Sequence, residues 1–574
     1  MIWRGCAYIS CGHTGGNIGP LHSTQMKLSR FSYLAAYITA VYAATARRAG
    51  PPTVTLDAGT FVGATEGASD VFLGIPFAQP PVGDLRFRLP VANDAYNGTF
   101  DATSFGLACP QQALTLPLIS GPVAQAIDFI INTIYDIVQP NGEDCLTVNV
   151  WTPAGVKPGA DLPVVVWIYG GGFEVGASSM YNGSSIIQRS VELDEPAIYV
   201  NFNYRYSPFG FLASQEVKDA GLGNIGLWDQ RQALKWVQKY IGAFGGDPSK
   251  VTIWGESAGA ISVALQMLTN GGNAEGLFRG AVMDSGSPIP MGDITHGQQY
   301  YDFILEQTDC AGATDTLGCL RQLPYVTLKA AVDRTPNILS FPQALNLAWV
   351  PRADGVFFTD TPQNLVLQGS VANIPFINGD CDDEGTFFSL TTLNLTTSDE
   401  MSAWFQSNYF PKASDAQIAE VLTTYPDDPT QGSPFDTGDN NALNMEYKRI
   451  AAIQGDLIFQ APRRFFLQQR SNLQPTWAFC TKLNKSQPIL GSSHGSDTPS
   501  FTTPGSMEDY LINFIDKLEP NPNNVTGVFW PQYTNDSPQL LTLWDVPAPF
   551  NVTEDNFRVD GMNVLTNLSM EFPL

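Results

Sequence analysis

Runs that are apolar at nearly every position alternate along this chain with stretches in which apolar residues recur at helical spacing. Leu162-Pro163-Val164-Val165-Val166-Trp167-Ile168-Tyr169, Ala197-Ile198-Tyr199-Val200-Asn201-Phe202 and Gly280-Ala281-Val282-Met283 are of the first kind. They predict strands buried on both faces of a central parallel sheet. Between them, residues 227–237 carry Leu227, Leu234 and Val237 on one side and charge on others, which predicts a helix. Strand alternating with helix implies a doubly wound α/β fold. There is no internal repeat and no Ser/Gly-rich linker long enough to separate domains, so the chain from about residue 50 onward reads as one elaborated unit.

The amino-terminal pattern is different. Lys27 and Arg30 precede an apolar, Ala/Tyr-rich stretch, Phe31 to Ala46, that ends in Ala44-Thr45-Ala46. Basic start, short apolar run and small-x-small ending predict a secretory signal peptide over 26–46. The run is too short for a membrane span. Residues 1–25 precede Met26 and are not part of such a signal; they read as an upstream extension from a mis-assigned start.

Composition agrees with a large folded protein that is exported. Of 574 residues 44% are hydrophobic and only 15% charged, which excludes a disordered chain. The net charge of −25, with no basic patch, argues against nucleic acid or an anionic membrane as partner and leaves uncharged small molecules. N-x-S/T sequons at Asn97, Asn182, Asn394, Asn484, Asn524, Asn535, Asn551 and Asn567 fit a secreted glycoprotein. Beyond Cys6 and Cys11 of the leader, we pair Cys109 with Cys145 and Cys310 with Cys319, and expect Cys381 and Cys480 to stay reduced and buried.

The chemistry centres on Gly255-Glu256-Ser257-Ala258-Gly259. It follows the strand-like Val251-Thr252-Ile253-Trp254 and precedes the helix-like Ala260-Ile261-Ser262-Val263-Ala264-Leu265. A G-x-S-x-G is a weak signal alone; between a strand and a helix it predicts a strained elbow that lifts a nucleophilic serine clear of the backbone. Such a serine needs a base, and beyond the leader only His296 and His494 remain. His494 lies in a loop of small residues after the strand-like Trp477-Ala478-Phe479-Cys480 and is preferred; His296 sits at a polar helix start. A carboxylate must orient the imidazole, and Asp380, Asp382, Asp383 and Glu384 all follow the strand-like Ile374-Pro375-Phe376-Ile377. Spacing does not choose among them. A calcium loop starting at Asp380 would have Gly385 in place but Thr391 where a bidentate Glu is needed, so that rival is poor. Tyr169-Gly170-Gly171-Gly172-Phe173 offers backbone amides for an oxyanion; as a phosphate loop it lacks the Gly-Lys-Ser/Thr.

These residues together resemble the type-B carboxylesterase/lipase family of α/β-hydrolases, especially the secreted fungal lipases of the Candida and Geotrichum kind. The resemblance spans nearly all of 55–574 and includes Phe72-Leu73-Gly74-Ile75-Pro76-Phe77-Ala78, Glu143-Asp144-Cys145-Leu146, the GGGF run, Asn203-Tyr204-Arg205 and Phe244-Gly245-Gly246-Asp247-Pro248. It implies an α/β-hydrolase fold over 50–574: a large, mostly parallel sheet with helices on both faces, a small N-terminal antiparallel sheet and a lid insertion. It also implies Ser257 as nucleophile, Glu384 as acid, His494 as base, the amides of Gly171, Gly172 and Ala258 as oxyanion hole, and the same two disulfides. Neither a cofactor nor a metal is implied. Because His494 must begin neutral, activity is expected to fall below roughly pH 6.

The loop 109–145 leans toward lipids as substrate. Val123, Ile127, Ile130, Ile131, Ile134, Ile137 and Val138 fall on one side of a helical spacing, with Gln125, Asp128, Asn132 and Asp136 on another. In the resembling lipases this loop is a lid that opens at an oil surface, so transient association with an oil–water interface is expected. Phe387 and Phe388 are candidates for the acyl pocket. A short-acyl or aromatic-ester carboxylesterase is the rival function, and a non-catalytic adhesion homologue a remote one. A monomer is expected, a dimer being the alternative.

Overall fold

Each buried apolar run forms a strand, and the strands assemble chiefly in one sheet. A computed structural model describes residues 50–114, 139–341, 344–503, 505–522, 527–545 and 550–574. The predicted leader and the apolar stripe of the lid, residues 115–138, lie outside the described residues. In chain order the strands are β1 (Thr53–Leu56), β2 (Ala58–Val62), β3 (Ala64–Glu66), β4 (Ser69–Pro76), β5 (Asn97–Asp101), β6 (Thr147–Pro153) and β7 (Leu162–Ile168). Then come β8 (Ile198–Phe202), β9 (Gly246–Glu256), β10 (Gly280–Asp284), β11 (Phe376–Cys381), β12 (Thr476–Lys482), β13 (Gln539–Trp544) and β14 (Phe550–Glu554).

Eleven of them form a sheet in the order β14-β13-β12-β11-β10-β9-β7-β8-β6-β4-β3. From β13 to β8 every pairing is parallel. The flanks are antiparallel: β14 at one edge, and β6, β4 and β3 at the other. The central strands are buried at almost every position, as their lack of alternation predicts. Trp167 and Trp254, paired in register on β7 and β9, meet edge to face at 4.2 Å between ring centroids.

The sheet is covered on both sides. Successive residues of a strand face opposite ways. Trp254 packs its ring toward Phe501, next to the helix Ser506–Lys517, whereas Gly255 faces the helix Ala258–Gly272. The predicted helix at 227–237 is present as Ile225–Tyr240. Pro51–Leu574 forms one compact unit.

The small sheet corrects one expectation. Its β1–β2 hairpin is antiparallel, but β5 joins β2 in parallel, so the sheet is mixed. Between β2 and β5 the chain leaves to supply β3 and β4 to the large sheet, and that excursion frees β5 from the antiparallel return a tight hairpin would impose. Both disulfides are formed, Cys109–Cys145 and Cys310–Cys319, while Cys381 and Cys480 are free and buried. No helix among the described residues is long and apolar enough to cross a membrane.

Candidate active site

The carboxyl ends of four neighbouring strands converge on one place, the end at which open α/β sheets hold their ligands. Glu256 closes β9, and Ser257 follows with φ 55° and ψ −125°, a conformation that costs about 1–3 kcal/mol for a residue with a side chain. Two hydrogen bonds hold it there: Ser257 N donates to Asp284 O at the end of β10, and Ile261 N donates to Ser257 O, both at 2.9 Å. Gly259 explains the second glycine of the motif. A Cβ there would lie 1.9 Å from Ile168 O, so the helix can rest on the end of β7 only without a side chain at this position.

After β7 the chain turns through Gly170-Gly171-Gly172, with φ 104° at Gly171 and 63° at Gly172. Such angles are open to glycine at little strain. Gly171 O accepts from Glu174 N at 3.0 Å and Val175 N at 3.1 Å, closing the turn. Gly171 and Gly172 line the same cavity as Ser257 and His494. Ala258 is the first residue of its helix, where backbone amides have no acceptor within the helix.

The four acids left open by spacing have four different surroundings. Asp380 is on β11 itself and accepts from Arg463 Nε at 3.0 Å. Asp382 pairs with Lys485 at 2.5 Å and Lys482 at 3.3 Å. Asp383 accepts from Ser433 Oγ, Phe435 N, Ser492 N and Lys485 Nζ, at 2.6–3.0 Å. Glu384 alone reaches the imidazole: its Oε2 lies 2.5 Å from His494 Nδ1, and its Oε1 accepts from Cys381 N at 2.6 Å. On the other side of the ring, His494 Nε2 lies 2.8 Å from Ser257 Oγ. Asp383 N donates to Ser492 O at 3.0 Å, which stitches the acid turn to the histidine loop. His296 is elsewhere, exposed in the turn Ile294–Gly297.

The electrostatics around His494 were not read from sequence. Glu256 Oε1 lies 3.4 Å from His494 Nε2, and Asp497, beneath the loop, accepts from Ser285 Oγ at 3.2 Å. Burial opposes charge on the imidazole, but Glu384, then Glu256 and Asp497, outweigh it and raise the pKa of His494 to about 9. Burial, reinforced by Asp497 and Glu384 and opposed by His494, pushes Glu256 up to about 7. Asp497 and Asp284 are likewise raised, first by burial and then by one another or by neighbouring carboxyls. The expectation that activity falls below roughly pH 6 assumes an imidazole without these neighbours, and their direction is toward an acid limb at higher pH. Glu256 lies inside the motif and Asp497 three residues beyond His494, but no residue pattern marks either as a neighbour of the ring.

A cavity of about 270 Å³ opens at Ser257. Leu114, Val175, Met180, Ile338, Leu339, Phe387 and Phe388 supply its apolar lining. Phe388 and Phe459 also flank the imidazole, with ring centroids 5.3 and 4.7 Å away. No cluster of side chains suited to a metal ion occurs among the described residues.

Sheet order, elbow and the convergence on Ser257 define an α/β-hydrolase. The chain belongs to the Carboxylesterase family, whose match covers residues 50–556, and it is a carboxylic ester hydrolase. It is 44% identical over 542 residues to Lipase 4 of Diutina rugosa, covering 91% of this chain and 97% of that protein. With Secreted lipase 1 of Botryotinia fuckeliana it shares 40% over 533 residues, 89% of this chain and 92% of that one. The crystal structure of Aspergillus niger EstA superposes with a TM-score of 0.76 at 28% identity, covering 91% of this chain and 99% of EstA.

Proposed function

We propose that this enzyme hydrolyses apolar carboxylic esters, acylglycerols among them, through an acyl-enzyme on Ser257. The observation that carries the reading is the continuous Glu384–His494–Ser257 chain of contacts, 2.5 and 2.8 Å long, opening on an apolar cavity. His494 takes the Ser257 proton as Oγ attacks the ester carbonyl, and Glu384 steadies the imidazolium that forms. The amides of Gly171, Gly172 and Ala258 receive the oxyanion. His494 then protonates the departing alcohol, and water releases the acid by the same route. Phe387, Phe388, Ile338 and Leu339 form the acyl side of the pocket.

The same reading makes 26–46 a signal peptide removed on export, 1–25 an upstream extension, and 109–145 a lid on the single domain 50–574. The described sequon asparagines, Asn97, Asn182, Asn394, Asn484, Asn535, Asn551 and Asn567, are all exposed, which supports passage through a secretory pathway. The enzyme acts as a monomer that meets lipid at an oil–water interface.

A second reading, a short-acyl carboxylesterase, is favoured by cavity size: about 270 Å³ lies just below the roughly 300–1,000 Å³ usual for ligand pockets. Hydrolysis of soluble and emulsified esters of increasing acyl length decides between them. A rate sustained through long acyl chains and raised by emulsion supports the lipase; a sharp drop beyond butyryl with no gain at the emulsion refutes it. Labelling by a fluorophosphonate, lost in Ser257→Ala, tests the nucleophile.

A further inference from the structure

The turn that carries Gly171 and Gly172 runs on into Glu174, a fully buried carboxyl group outside the Glu384–His494–Ser257 chain. Its Oε2 accepts from Ile338 N at 2.8 Å, and its Oε1 has no hydrogen-bond partner. Its backbone is engaged on both sides: N donates to Gly171 O at 3.0 Å, and O accepts from Gln112 N at 2.9 Å. Gln112 in turn donates through Nε2 to Thr335 O, Thr335 Oγ1 and Pro336 O at 3.0–3.1 Å. The glycine turn and the segment bearing Ile338 and Leu339 are thus joined twice, once through a carboxyl and once through an amide side chain. They also touch the substrate cavity together, and a Cβ on Gly172 would lie 2.7 Å from Ile338 Cδ1.

We propose that Glu174 is a positioning residue for ester hydrolysis, its carboxyl group clamping the amide-bearing turn at Gly171 and Gly172 to the Ile338–Leu339 wall. This rests on the reading of those amides as oxyanion donors. Burying a carboxyl is unfavourable, and one backbone amide offsets only part of that. A leucine would fill the space without it, but would leave Ile338 N–H unmatched and the wall untied. Burial, opposed only by the bond from Ile338, raises Glu174 to about 8, which favours the uncharged acid at neutral pH. The clamp therefore brings no anion close to the place where negative charge develops.

Four variants, one of them held in reserve, test this by kcat and KM on a soluble nitrophenyl ester, affinity for an alkylboronic acid, and melting temperature. Glu174→Leu removes the acceptor and keeps the bulk. It should lower kcat about 10- to 100-fold, since small misplacements of oxyanion donors have effects of that size. KM should stay within about threefold, and boronate affinity should fall with kcat. Glu174→Gln keeps an acceptor for Ile338 N–H and should recover most of the loss. A folded E174L with kcat within about threefold of wild type, or an E174Q no better than E174L, overturns the proposal. If E174L does not fold, Glu174→Met is judged by the same outcomes. Gly171→Ala, whose methyl group would meet Val175 O at 2.2 Å, separates the two readings. If it keeps wild-type kcat, the amides of this turn are not the donors; if it loses kcat while E174L does not, only the clamp fails.

Discussion

Replacing Glu256 by Gln should move the acid limb of the pH–rate profile to lower pH. Glu256 Oε1 lies 3.4 Å from His494 Nε2, in a pocket where His494 has a pKa raised to about 9 and Glu256 one raised to about 7. Above about pH 7 Glu256 is an anion that holds the proton on the imidazole. The amide removes that charge, so the pKa of His494 falls and the neutral, active base appears earlier as pH rises. Two unit charges 4 Å apart interact by about 1 kcal/mol in water and about 4 kcal/mol at a partly buried site. At about 1.4 kcal/mol per pH unit, that spans about 1 to 3 units. Glu384 and Asp497 remain in E256Q, so we expect a shift near the lower bound. The assay is kcat/KM for a soluble ester from mildly acidic to alkaline pH at fixed ionic strength. A somewhat lower plateau is also expected, because a less basic imidazole is a weaker proton acceptor. A limb that does not move, or moves up, would refute the reasoning.

Glu174→Gln should also change how stability depends on pH. The Glu174 carboxyl is raised from an ordinary 4.5 to about 8 in the folded protein, so its contribution is fully present below about pH 4.5 and lost as pH rises through about 8. At roughly 1.4 kcal/mol per pH unit this is several kcal/mol, and the difference in melting temperature between E174Q and wild type should grow in favour of E174Q across that window. Cys109→Ser with Cys145→Ser should lower stability by about 2–4 kcal/mol, measured by denaturant unfolding, because the bond closes a loop of sequence separation 36. An unchanged midpoint would show that the loop is restrained by other contacts. Gly259→Ala should lose activity and at least about 1–3 kcal/mol of stability, since the methyl group would stand 1.9 Å from Ile168 O. Retained activity would mean that the elbow has more freedom than its packing indicates.

The parallel core was legible because its strands carry runs that are apolar at nearly every position, and the elbow because a strand, a glycine-flanked serine and a helix follow one another in the sequence. Ser257 and His494 were candidates from the sequence itself and Glu384 from the resemblance, where spacing left four acids, and the structure brings these three side chains together. What separates those acids in space is their cationic or amide partners: Arg463, Lys485 and Ser492 are distant in sequence and take the other three. The helices Tyr447–Gly455 and Ala461–Arg470 were not read at all. They are buried nearly throughout, Lys448, Arg449, Arg463 and Arg464 included, so charge does not mark a solvent face there. Arg463 and Arg464 are instead matched to Asp555. Strand β11 likewise runs on through Asp380, beyond its apolar stretch, because Arg463 neutralises that acid inside the sheet.

The carboxyl groups gathered about His494 bear differently on substrate and product. An ester arrives neutral and is indifferent to Glu256, Glu384 and Asp497, but the carboxylic acid released by its hydrolysis ionises beside them. Like charges at that range repel. The carboxyl groups that hold a proton on His494 thus also work against an ionised acid product lingering at Ser257.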